Sequence, residues 1–160
     1  MKRLKGFCII VAIAATVFIS FDSFGQMDMK MNSSSPAANE LRTNMRKLWE
    51  DHVTWTRNVI VCLTDGLQGA DQAVKRLLRN QDDIGNAVKP LYGEAAGNKL
   101  SSLLHDHIII AADVVKAAKA GDNVALDAAN KKWFANADEI SAFLAKANPN
   151  RKEYAMKKMM

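Results

Sequence analysis

The chain has 160 residues, a net charge of +5 and only two cysteines, Cys8 and Cys62. That length suits one domain with a modest core, and its 49% hydrophobic content argues against a disordered chain. Two cysteines so placed exclude a disulfide-stapled scaffold, and the mild charge argues against a nucleic-acid partner.

Lys2, Arg3 and Lys5 precede a charge-free run from Gly6 to Phe21, followed by Ser23-Phe24-Gly25. A basic start, a short apolar centre and small residues at the end make residues 1–25 a signal peptide. The apolar run is shorter than the roughly 20 residues that a membrane-spanning helix needs, which leaves an uncleaved N-terminal anchor as the rival reading. Cys8 lies before the apolar run and has no lipobox ahead of it, so it does not mark a lipoprotein. Cleavage removes three cations and Asp22, which leaves a mature charge of +3. The expectation is an exported protein, periplasmic or extracellular, with no stable membrane span after cleavage.

Residues 26–38 are polar, include Ser33-Ser34-Ser35-Pro36, and read as a flexible linker. Helical patterning then runs to 149, broken at Gly66 and Gly69, at Pro90 with Tyr92-Gly93, at Gly121-Asp122-Asn123, and at Asn148-Pro149. The predicted helices are 39–65, 70–89, 94–120 and 123–147. Short turns between amphipathic helices imply antiparallel neighbours, so the expected fold is an all-α, up-down four-helix bundle. Residues 150–160 form a basic, Met-rich tail that reads as a solvated end.

The bundle carries an internal repeat. Leu48-Trp49-Glu50-Asp51-His52 matches Leu103-Leu104-His105-Asp106-His107 at an offset of 55, and Gly66 matches Gly121. After one inserted residue, Arg76-Leu77-Leu78-Arg79-Asn80 matches Lys132-Trp133-Phe134-Ala135-Asn136 at an offset of 56, and Ile84 matches Ile140. Two ordered matches separated by one indel describe two tandem helical hairpins, about 39–92 and 93–149. One hairpin cannot bury its apolar face alone, whereas two can.

His52 falls at the centre of the stripe formed by Leu48, Trp55, Val59 and Leu63, and His107 holds the same place on its own helix. His105 points towards solvent. Two inward imidazoles at one level of a bundle suit a transition metal such as Zn or Cu, or a small ligand. Asn80 and Asn136 would stand behind them and orient the rings. The alternative is a structural His/Asn layer that fixes register. The di-iron signature is absent, because Trp49 and Leu104 stand where glutamates are needed. Asp51 and Asp106 point sideways, and Asp82 and Asp138 face outward. Bis-histidine haem is geometrically conceivable, but no Cys-x-x-Cys-His occurs.

Met27, Met29, Met31, Met156, Met159 and Met160 suit Cu(I) as thioethers, although two Met-rich tails are more simply composition. Cys62 reads as a small hydrophobe on an apolar face. Trp49, Trp55, Trp133, Phe134 and Phe143 read as core. No phosphate-binding Gly loop, nucleophile elbow or His-Glu-x-x-His occurs, so an enzyme of unknown reaction is the third reading.

Several of these stretches, notably Leu48-Trp49-Glu50-Asp51-His52-Val53-Thr54-Trp55 and Lys132-Trp133-Phe134-Ala135-Asn136-Ala137-Asp138-Glu139-Ile140, resemble an uncharacterised family of small bacterial helical proteins. The resemblance covers about residues 45–149. Some members are labelled acetylglutamate kinase or glycosyltransferase, and no residue here supports either activity. Relatives continue past the Asn-Pro with another helical segment. An apolar face left open there would favour self-association. The expected function is therefore binding or interaction, with a homo-oligomer or another exported protein as partner.

Overall fold

The computed structural model describes residues 36–147 and 152–159. The expected signal peptide (1–25) and most of the expected linker (26–38) lie outside these residues; the linker's last residues, from Pro36, are already helical. The described chain is helical throughout: α1 (Pro36–Asp65), α2 (Ala70–Tyr92), α3 (Glu94–Ala120), α4 (Asn123–Ala147) and α5 (Glu153–Met159).

The turns follow from the sequence repeat. Gly66 and Gly121 both take a left-handed conformation, at φ 68° and 70°. Leu67 N–H donates to Cys62 O (3.0 Å), and Asp122 N–H donates to Ala117 O (3.1 Å). These are the six-to-one bonds of a Schellman stop, built twice at corresponding positions. Asp122 then accepts from Ala125 N–H through Oδ1 (3.0 Å) and so caps α4. Pro90, expected to end α2, lies inside it instead, and the helix runs on to Tyr92. In the last turn a proline forfeits a single backbone bond, and Gly93 N–H closes the helix on Lys89 O (2.8 Å).

The four main helices pack against each other, most extensively α2 with α3, then α3 with α4 and α1 with α2; α1 also reaches α3. Because α3 seats against both α1 and α2, α4 follows on α3 and has no extensive contact with α1. Val59, Ala73, Leu77 and Ile108 form a core cluster drawn from α1, α2 and α3, and Trp55, Leu63, Val74 and Leu78 pack onto it. Phe134, expected in the core, is 60% exposed. Its counterpart Leu78 is covered because α2 lies between α1 and α3, whereas α4 has only α3 and the short α5. The stretch read as a solvated tail contains α5, which docks on α4 through buried Met156 and a Lys157–Asp138 ion pair (3.4 Å).

The α2–α3 crossing depends on two glycines. A Cβ placed on Gly85 would lie 2.6 Å from Gly97 O, and one on Gly97 would lie 2.6 Å from Gly85 O. A helix-interior glycine costs about 1 kcal/mol relative to alanine, so close backbone approach is the compensating gain. Ser101 also donates from Oγ to Gln81 O (3.4 Å) across this crossing. Gly85→Ala is expected to destabilise the protein by about 1–3 kcal/mol, against the sign of helix propensity. Urea unfolding of the two proteins measures it; a stabilised variant would refute the close crossing.

Candidate functional site

His52 on α1 and His107 on α3 each face the partner helix of their own hairpin. On the second hairpin, Asn136 donates from Nδ2 to Leu103 O (3.2 Å). A backbone carbonyl only accepts, so the amide nitrogen must face it and Oδ1 must face the other way. That oxygen lies 2.8 Å from His107 Nδ1. An amide oxygen also only accepts, so the His107 proton sits on Nδ1 and the lone pair on Nε2.

The first hairpin repeats the bond to the leucine carbonyl. Asn80 donates from Nδ2 to Leu48 O (2.9 Å) and lies close enough to the His52 imidazole to favour its charged form. Here a further residue joins in. Gln81, fully buried, places Nε2 2.9 Å from Leu77 O, 3.1 Å from Asn80 Oδ1 and 3.1 Å from His52 Nδ1. Its two hydrogens have three neighbours, and an amide nitrogen cannot accept, so only His107 has its proton fixed on Nδ1 by its contacts. Gln81 Oε1 has no hydrogen-bond partner among the described residues. Ala137 stands at the matching place on α4.

Each imidazole also stacks on an indole. Trp49 lies against His52 with ring centroids 4.8 Å apart and 18° between planes; Trp133 lies against His107 at 5.1 Å and 30°. The two tryptophans come from different places. Trp49 is on the histidine's own helix, where the second copy has Leu104; Trp133 is on the facing helix, where the first has Leu77.

Burial sets the protonation state. Desolvation pushes His52 down to about 4, with the charge of His107 adding to the fall and the Asn80 hydrogen bond opposing it. His107 is also lowered by burial, against its bond to Asn136. Both rings are therefore neutral near pH 7.

The structure thus joins His52 with Asn80 and His107 with Asn136, as two separate pairs. Neither imidazole hydrogen-bonds the other. Among the described residues no three His, Cys, Asp or Glu side chains converge on a metal-sized point. Cys62 is a free, partly buried thiol. His105, expected in solvent, pairs across the α2–α3 boundary with Asp82 (3.0 Å), though without the alignment of a hydrogen bond. Sequence reasoning missed Gln81, because its polar side chain breaks the repeat rather than following it.

No family model, no curated protein and no solved structure matches the chain.

Asn136→Ala leaves both the Nδ1–H of His107 and a carbonyl lone pair without their partner. It should cost about 1–3 kcal/mol. Asn80→Ala should do likewise, and the two losses should add, since the clips share no atoms. Urea unfolding of both single variants and the double variant checks this.

The lowered histidines also fix a pH dependence. The unfolded chain binds protons near pH ~6.5, but His52 in the folded chain does so only near about 4. Between these values the unfolded state holds more protons. The stabilisation is therefore complete above pH ~6.5 and is lost as pH falls towards 4, by roughly 3 kcal/mol from His52 alone. Urea melts at pH 7 and 4.5 should show the loss, and His52→Gln should flatten the slope.

Proposed function

We propose that this chain is an exported binding protein built from two tandem hairpins. The His52–Asn80 and His107–Asn136 pairs are fasteners that hold each hairpin in register, while the outer faces do the binding. The observation that carries the reading is the repeated clip: in each copy an asparagine donates to a leucine carbonyl of the facing helix, and a buried amide of the asparagine's own helix, Gln81 or Asn136, meets the imidazole Nδ1. Each ring spends Nδ1 on its own hairpin and one face on an indole, which is how a side chain is used to fix packing. Export is supported by the basic start and short apolar run of residues 1–25. Among the described residues no helix is long and apolar enough to cross a membrane. The partner is a second copy or another exported protein.

One observation favours a second reading. The charge of His107 is felt at His52, and the His107 Nδ1–H held by Asn136 leaves Nε2 as a lone pair, the usual preparation of a metal-ligating histidine. In that reading His52 and His107 take a Zn or Cu ion whose remaining ligands come from outside.

Metal analysis separates the two. Mature protein from Gln26, purified without chelator, is expected to carry no stoichiometric metal, and His52→Gln/His107→Gln to lose stability. Stoichiometric Zn or Cu that disappears in a still-helical double variant would replace the fastener reading with a metal site. Mass spectrometry of the secreted protein should give Gln26 as its first residue; a chain retaining residues 1–25 would overturn the export reading.

A further inference from the structure

The two hairpins share a frame but fill it differently. In the first, Arg76 on α2 reaches Asp51 on α1 (3.2 Å) and lays its guanidinium over the Trp55 ring, 5.2 Å from the centroid. The repeat places Lys132, Asp106 and Ile110 at the corresponding positions of the second. A branched aliphatic replaces the indole and an ammonium replaces the planar fork. What remains between α3 and α4 is a shallow groove of about 290 Å³, lined by Ile109 and Ile110, by the charged Asp106, Lys132 and Glu139, and by Asn136 at its edge with the His107 clip. Ile109 is 47% exposed there. Unlike Asp51, Asp106 makes no ion pair among the described residues, and neither do Lys132 and Glu139.

We propose that this groove docks a polypeptide segment presenting an aromatic ring beside a guanidinium, the two groups that fill the matching place in the first hairpin. The inference rests on the binding reading above and names the class of partner. Shape supports it, because the same helical frame accommodates an indole under an arginine in the other copy. Charge supports it too: two carboxylates face one ammonium across an apolar floor, so an added cation is welcome while an added anion is not. Asp106 stands where Asp51 takes Arg76, ready for the same planar donor. Size narrows the choice further. The groove is at the low end of the roughly 300–1,000 Å³ of small-molecule sites, enough for two side chains and too small for a large cofactor.

The test is a titration of isotope-labelled mature protein with two blocked dipeptides, acetyl-Trp-Arg-amide and acetyl-Trp-Glu-amide, followed by amide chemical shifts. The arginine peptide should give saturable shifts at Ile109, Ile110 and Glu139. The glutamate peptide should bind about five-fold more weakly, the scale of one half-exposed ion pair. Ile110→Trp/Lys132→Arg copies the first hairpin, so it should fold and bind neither peptide. Asp106→Asn, at an exposed position, should fold normally and lose the preference for arginine. Equal response to both peptides, no shift at the groove, or undiminished binding by the filled variant would overturn the proposal. So would concentration-dependent shifts at the same amides without peptide, which would assign the groove to a second copy. The metal measurement and the Asn80→Ala variant do not touch the groove, so failure here leaves the fastener reading standing.

Discussion

The hairpins depend on a constraint of hydrogen-bond chemistry. A backbone carbonyl accepts and never donates, so an amide that meets Leu48 O or Leu103 O must present its nitrogen. In the second hairpin the amide oxygen is then committed to the imidazole, which commits the His107 proton to Nδ1. One contact with the main chain thus orients three groups on two helices. Sliding either helix by one residue would break these interactions and strand buried polar atoms, a cost of a few kcal/mol. Apolar packing alone tolerates such slips far better, because leucine meets leucine almost as well one position along.

Around that fixed frame the copies have diverged in a compensated way. Trp49 with Leu77 in the first hairpin becomes Leu104 with Trp133 in the second. Each copy keeps one indole for its imidazole to stack on and one leucine in the other position, so volume is conserved while the source of the ring changes. No such compensation occurs one turn further along, where Trp55 and Arg76 give way to Ile110 and Lys132. A loss of ring and fork without an internal replacement leaves exposed apolar surface beside charges that have no ion-pair partner among the described residues. Surface of that kind is open to recognition, in contrast to the buried and neutral histidines.

The joint between hairpins obeys a different rule. Gly85 and Gly97 let α2 and α3 approach to backbone contact, and α3 then seats on α1 as well. With that space taken, α4 packs on α3 and extends a row of helices. α5 continues the row: it packs on α4, and its Met156 is buried.

The sequence by itself determined the helical class, the turns and the pairing of His52 with His107 as equivalents. Each rests on local physics: apolar periodicity, glycines that reach positive φ, and a repeat legible as residue identity at a fixed offset. It also put Asn80 and Asn136 beside the histidines, because they recur in step with them. The tertiary structure alone decided which groups each ring meets. Gln81 beside His52, the Gly85–Gly97 crossing, exposed Phe134 and buried Met156 depend on what lies across from a residue in space, and a helical wheel records only which way it faces. For the same reason the imidazoles, equivalent in sequence, turn out to be held in two separate clips. A wheel gives direction without distance, and only the packing of α3 on α1 and α2 supplies the distance.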